Sequence, residues 1–331
     1  MSDVAPQAGS VPANTVFEQP WWLEAVAPGR WGEVLVRDGD SVIGRLPYVA
    51  DRRLGVTVLT QPPLTRYLGP WVAPVSGKQV HRQSVEKEVV TELIGGLPVF
   101  ASFHTSFAPE APNWLPFYWA GFEATMHYTS RLDLAEDLDE VWGGLLKDVR
   151  KKIRRAERVL RVHVEPDLGP LLDIQRRIFG RQGLPVPFDD AFARRLDEAC
   201  ALRGARTVIS AVDEDGRVHA AAYAVHDATT TYFLYGGPDP ELTTSGAYPL
   251  VIWEAIRRSS AAGRRFDFLG SMMEPIDRLN RSFGTRPTPY LLVSREHPGL
   301  RVARVARDAV RRQRARHHTS RLGASTEDGV G

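Results

Sequence analysis

Six cations are the most concentrated chemical signal in the chain. Lys147, Lys151, Arg154 and Arg158 recur at helical spacing, with Arg150 and Arg155 beside them. They belong to residues 146–161, which hold eight basic and two acidic side chains. Residues 301–316 hold seven basic and one acidic. The whole chain carries only +2, so two segments of +6 leave the remaining residues at −10. An even scatter of charge would attract no phosphate, whereas a basic helix face does. Two readings stay open: a solvated helix face, or a contact with a polyanion. Two acidic residues are too few to neutralise the face by i,i+4 pairing.

Other reactive side chains are sparse. His104, in ASFHTSF, has a ring that can act as a base near neutral pH, or it is a satisfied histidine at a strand end. The single cysteine, Cys200, sits beside Ala199, Ala201 and Leu202 in a helical pattern, which reads as inert packing. No metal-ligand spacing and no catalytic triad stand out, and neither metal nor cofactor is expected. A composition of 43% hydrophobic and 25% charged residues excludes a disordered chain and a disulfide scaffold. No apolar run reaches the roughly 18 residues of a membrane span, and the N-terminus has no signal-peptide pattern. A cytoplasmic protein is expected.

The elements that must hold these residues repeat. GEVLVRDGDSVIGRLPYVA (32–50) and RTVISAVDEDGRVHAAAYAVHDA (206–228) each read as strand, Asp-Gly turn, strand. Third strands follow at 56–60 and 230–237, then helices at 80–95 and 247–262. Next come strands at 97–103 and 264–270, short helices at 113–122 and 274–284, and closing strands at 126–134 and 288–294. Between the two sets, residues 135–161 predict a helix capped by Asp137, with Val149, Ile153, Ala156 and Leu160 as its apolar stripe. A strand at 162–166 and helices at 168–182 and 189–203 complete the second set. The expected organisation is a loose tail (1–16), a first lobe (17–134), a basic linker helix (135–161), a second lobe (162–294), a basic C-terminal helix (295–317) and a second tail (318–331).

This order resembles the GCN5-related N-acyltransferase fold, and its duplication resembles the FemABX family of aminoacyl-tRNA-dependent transferases and their acetyltransferase-like bacterial relatives. The residues that carry the resemblance include FEQPWW (17–22), QPPLTRYLGPWV (61–72), FGRQGLPVPF (179–188), YFLYGG (232–237), SGAYPLVIWEAI (245–256) and FDFLGSMMEPIDRLNRSFGT (266–285). It implies an α/β fold of two tandem lobes, each a mixed, mostly antiparallel sheet flanked by helices. It also implies transfer of an aminoacyl group from charged tRNA to an amine of a cell-wall precursor or peptide natural product. The six cations would then guide the tRNA backbone, with the Arg-rich tail as a second candidate for the same contact. An aminoacyl ester is already activated, so holding the amine beside the carbonyl and stabilising an oxyanion suffices.

The resemblance also assigns candidate site residues. Strands three and four of such a lobe splay apart, which places Tyr235 and Asp267 at the gap. Asp267 either faces the site or satisfies an internal hydrogen bond. Arg281 keeps a cation where relatives carry a catalytic lysine, and Asn280 stands beside it as a substrate contact. Arg181, in GRQG, resembles an arginine that binds the acceptor. Tyr67, in RYLGP, lines the substrate or packs. The absence of an Asp-Pro pair at His104 departs from the bridge-forming relatives. The rival donor is acyl-coenzyme A, held by backbone N–H groups where a central helix begins. Glu241 to Ala247 lacks the glycine-rich form of that loop. A non-catalytic scaffold or RNA-binding protein is the third reading, because fold does not fix function.

Overall fold

The two Asp-Gly turns form the hairpins expected of them. In the computed structural model, which describes residues 11–53, 55–133, 138–242, 246–270, 272–297 and 299, a 3-10 turn at Val16–Glu18 leads into α1 (Pro20–Val26). The first hairpin is β1 (Trp31–Asp38) and β2 (Ser41–Arg53), followed by β3 (Val56–Thr60), β4 (Trp71–Val72), α2 (Gln79–Gly95), β5 (Ser102–Ser106), α3 (Leu115–Trp119) and β6 (Glu123–Leu132). Two helices, α4 (Leu138–Gly144) and α5 (Lys147–Ala156), then lead to β7 (Arg161–Glu165), α6 (Gly169–Arg181) and α7 (Asp190–Ala201). The second hairpin is β8 (Arg206–Val212) and β9 (Val218–His226). It is followed by β10 (Thr230–Pro238), α8 (Ala247–Ala261), β11 (Arg265–Asp267), α9 (Glu274–Arg281) and β12 (Arg286–Glu296).

All the main strands join one sheet in the order β1-β2-β3-β5-β12-β6-β11-β10-β9-β8-β7, with β4 paired to β2. Only β3 with β5 and β10 with β11 run parallel, each pair joined by one crossover helix, α2 or α8. The closing strands are exchanged. β12 lies between β5 and β6, and β6 pairs with β11, so each half is completed by the other's last strand. The expected lobes, 17–134 and 162–294, therefore share one continuous sheet.

Three apolar cores follow from this sheet. One packs α2 and α3 on the first half, and one packs α4, α5 and α8 on the second. The third lies between the halves, where Phe17, Trp22 and Tyr67 meet Leu171, Tyr232 and Tyr290. Asp189 caps α7 by accepting from Phe192 N at 2.7 Å, and Arg195 of that helix donates to Ala25 O of α1 at 2.7 Å.

Five expectations change. Residues 11–16 are not a loose tail. Val16 is in the core, and the buried Glu18 carboxylate accepts from Asn14 N and Thr15 N, which pins the segment down. The strand expected at 97–103 starts at Ser102, and His297 N donates to Ala101 O just before it. The single linker helix is two, broken at Leu145–Leu146, where Leu146 N donates to Ser282 O instead of continuing α4. Its apolar stripe, Val149, Ile153, Ala156 and Leu160, is buried as expected. The fourth change is the exchange of closing strands, which joins the two expected lobes in one sheet. Of the C-terminal helix expected at 295–317, Arg295 and Glu296 instead end β12, and residues 300–317, the Asp137 cap and the final tail lie outside the described residues. Among the described residues no helix is long and apolar enough to cross a membrane.

Candidate active site

A cavity opens where two parallel strands part. β10 and β11 pair only over Thr230–Tyr232 and Arg265–Asp267, and a bulge between Phe233 and Tyr235 takes Leu234 out of the ladder with β9. Bulges re-aim the chain and leave one residue unpaired. Beyond that point lies a cavity of about 690 Å³. Its walls are the second half of β10, the first turns of α8, the face of α6 that carries Ile178, and α9. The loop Leu64–Arg66 of the first half closes it. In the first half the equivalent gap is filled. Gln61 accepts from Ser106 N at 2.7 Å and donates to Thr65 O, while Leu68 N donates to Ser106 O at 2.8 Å.

Asn280 is the polar group best placed to act in this cavity. It lines the wall and is 3% exposed, and among the described residues its Nδ2 has no hydrogen-bond partner. A buried unpaired amide donor costs about 1–3 kcal/mol, which a ligand oxygen would recover. Tyr235 lines the wall beside it, its ring stacked on Tyr223 at 5.5 Å and edge-on to Phe188 at 5.5 Å. Burial raises the pKa of its hydroxyl, so the group stays a proton donor. Arg281 points elsewhere: one residue is a 100° step around a helix, and its Nε pairs with Asp277 at 2.8 Å on the exposed side. The expected catalytic cation is thus absent from the cavity wall, and its neighbour Asn280 occupies it.

Asp267 holds the floor. It is fully buried and accepts from Arg131 Nε and Leu269 N, both at 2.7 Å, and from Thr129 Oγ1. These bonds fix the turn after β11, where Leu269 and Gly270 both have positive φ. A side chain at Gly270 would meet Tyr128 O at 2.3 Å. Of the two readings of Asp267, internal hydrogen bonding is the one its surroundings match. Burial opposes the charge of Arg131, and Asp267 and Glu110 more than offset that, so its pKa is raised. Tyr67 is also a packing residue: it is fully buried, edge-on to Tyr290 at 5.5 Å, with its hydroxyl 3.5 Å from Asp267.

Two more candidates fall outside the cavity wall. His104 is exposed in the middle of β5, between Thr60 and Ser294. Arg181 is exposed and donates to Pro240 O at 2.9 Å, which ties the end of α6 to the segment after β10.

The six cations do come together. Lys147, Arg150, Lys151, Arg154, Arg155 and Arg158 line a second concavity of about 570 Å³. Among the described residues none of the six is paired with a carboxylate, whereas Lys152 on the same helix pairs with Asp148 at 2.7 Å. Arg154 also lies 5.4 Å over the Trp142 ring. The two concavities share no lining residue, but α5 starts beside elements that line the cavity. α5 begins against Ser282, two residues after Asn280, and α8 begins at Gly246, whose φ is +104°. A side chain at Gly246 would stand 2.3 Å from Lys152 O, so only glycine lets α8 start this close to α5.

Sequence reasoning missed Arg66. Its Nη2 donates to Tyr290 OH at 2.6 Å and Gly270 O at 3.1 Å, its guanidinium lies 5.0 Å over the Tyr290 ring, and its buried Nε has no partner. Nothing in the sequence separates it from the other arginines. Among the described residues no three His, Cys, Asp or Glu side chains converge as metal ligands would.

The splayed parallel pair, the strand bulge and their setting in a duplicated sheet define a tandem GCN5-related N-acyltransferase fold of the FemABX-like type. Residues 144–274 match the family described as acetyltransferase (GNAT) domain. The solved structure of FemX superposes with a TM-score of 0.62 at 12% identity, covering 85% of this chain and 92% of FemX. A tandem GNAT protein from the clavulanic acid biosynthesis pathway gives 0.51 at 13% identity, covering 88% and 90%. The C-terminal domain of a putative lysylphosphatidylglycerol synthetase from Agrobacterium fabrum gives 0.53 at 15%, covering 85% and 88%. No curated protein sequence matches the chain. At these identities the likeness to solved structures carries the fold alone, and the family match supports acyl transfer as the class of chemistry.

Proposed function

We propose that this protein is an N-acyltransferase that takes an aminoacyl group from charged tRNA and passes it to an amine acceptor. One observation carries the donor assignment: six cations, none paired with a carboxylate among the described residues, share one concavity, and α5, which carries five of them, begins against the segment that follows Asn280. A phosphate backbone supplies negative charges at regular spacing, and each contact releases counterions. A small acyl donor would leave most of the six unused.

In the reaction the acceptor nitrogen attacks the ester carbonyl. A C–N bond forms, the ester C–O bond breaks and the tRNA 3′ oxygen leaves. Asn280 Nδ2 is placed to donate to the tetrahedral oxyanion, and the bulged Leu234 amide is the neighbouring backbone candidate. Tyr235, kept protonated by burial, donates to the leaving oxygen and takes a proton back from solvent, while the amine gives up its proton to solvent. Arg181 is not on the cavity wall but two residues beyond Phe179, which lines it, and in this scheme it meets the acceptor as it enters. His104 keeps no role in this scheme. The scheme carries a cytoplasmic location with it, where charged tRNA is made.

A second reading, acyl-coenzyme A as donor, is favoured by the acetyltransferase family match over 144–274. Transfer of a radiolabelled amino acid from a charged tRNA pool to an added amine separates the two. Ribonuclease abolishes it under the first reading and leaves acetyl transfer from acetyl-coenzyme A intact under the second.

A further inference from the structure

Among the described residues that line the cavity, Arg66 is the only one with a charge. It comes from the first half of the chain, while the other walls belong to the second. Its Nη2 is held by Tyr290 OH and Gly270 O, and its face rests on the Tyr290 ring, so the guanidinium is oriented before any ligand arrives. Among the described residues its Nη1 makes no hydrogen bond and, unlike the buried Nε, is not sealed off, so it is left to donate. The nearest buried carboxylate, Asp267, is already engaged by Arg131, Thr129 and Leu269. A fixed cation with an unused donor, in an otherwise apolar and neutral cavity, calls for an anion on the bound molecule.

We propose that Arg66 binds a carboxylate of the acceptor, so that the acceptor is an amino acid or peptide presenting both a free amine and a carboxylate. This rests on the acyltransferase reading for the fate of the amine, but not on the identity of the donor. One guanidinium balances one carboxylate. A phosphate monoester, at −1.5 to −2 near neutral pH, would bring uncompensated charge into apolar surroundings. A planar carboxylate also matches the guanidinium edge, which a lysine ammonium could not reproduce.

The test measures binding to the full chain, without donor, of glycyl-leucine and of glycyl-leucinamide by calorimetry. A charge-assisted hydrogen bond predicts that the acid binds about 10- to 100-fold more tightly than the amide. Arg66→Gln should abolish that preference and Arg66→Lys restore it in part, with thermal melts verifying that both variants fold. A preference that is absent, or that survives in Arg66→Gln, overturns the assignment, as does failure of both dipeptides to bind. Inorganic phosphate binding more tightly than the acid, through Arg66, would replace it with a phosphorylated acceptor. Failure of transfer from charged tRNA, with the Arg66-dependent preference intact, would overturn the donor reading and leave this one standing.

Discussion

Replacing Asp267 by Asn separates a structural carboxylate from a catalytic one. The side chain is fully buried and its partner Arg131 nearly so, at 7% side-chain exposure. Asparagine keeps the volume and one acceptor, enough for Leu269 N or Thr129 Oγ1, but it removes the charge that faces Arg131 Nε. Breaking a buried ion pair on one side costs about 3–5 kcal/mol. Glu110 remains beside Arg131, which places Asp267→Asn at the low end, about 3 kcal/mol. With a guanidinium m-value of about 5 kcal/mol/M for a chain of this size, the unfolding midpoint should fall by about 0.6 M. Residual transfer by the folded fraction should survive, because no bond from Asp267 reaches the cavity except through the Leu269–Gly270 turn. An unchanged midpoint with transfer lost would refute this reasoning and make Asp267 a participant in the chemistry.

Two buried groups predict opposing pH dependences. Burial, with Arg264 adding to it, lowers His226 to about 4 from 6.5. The unfolded chain then binds the extra proton first, and stability falls by about 3 kcal/mol as pH drops from 6.5 to 4. A titration of the His226 ring by NMR checks the value, and His226→Leu should remove the slope. Burial raises Glu18 to about 7 from 4.5, against the lowering pull of its bonds to Asn14 and Thr15 and of Arg45. Here the folded chain holds the proton longer, so stability is full below 4.5 and falls by about 3 kcal/mol as pH rises through 7. The two effects offset each other between about pH 4.5 and 6.5, so Glu18→Gln should expose the His226 slope there in urea melts.

Local order was readable because its causes are local. Asp-Gly turns between alternating strands fix both hairpins, and the stripe Val149, Ile153, Ala156 marks the buried face of α5. Five of the six cations lie on α5 and Arg158 follows in the turn after it, so local spacing alone brought them together. The exchange of β6 and β12 left no such mark: strand sequences encode a buried face but not which strand lies beside them. At the site, Asn280 and not Arg281 faces the cavity, and this was legible. Ile276, Leu279, Asn280 and Phe283 follow i, i+3, i+4, i+7, which puts Asn280 on the inward stripe and Arg281 off it. Asp267 is explained by its neighbours on β6, Thr129 and Arg131, whose proximity depends on the strand exchange. Arg66 owes its place to a loop crossing from one half to the other, and only the assembled sheet shows it.

The identity of the donor is what the account turns on. Purified protein should be offered a labelled aminoacyl-tRNA pool and, separately, labelled acetyl-coenzyme A, each with a mixture of dipeptide amines. Amide product is expected from the tRNA pool, sensitive to ribonuclease and to rising salt, and reduced at least about tenfold when Lys151, Arg154 and Arg155 are all changed to Ala. Product from acetyl-coenzyme A alone, or tRNA-dependent transfer indifferent to the loss of those three cations, would contradict it.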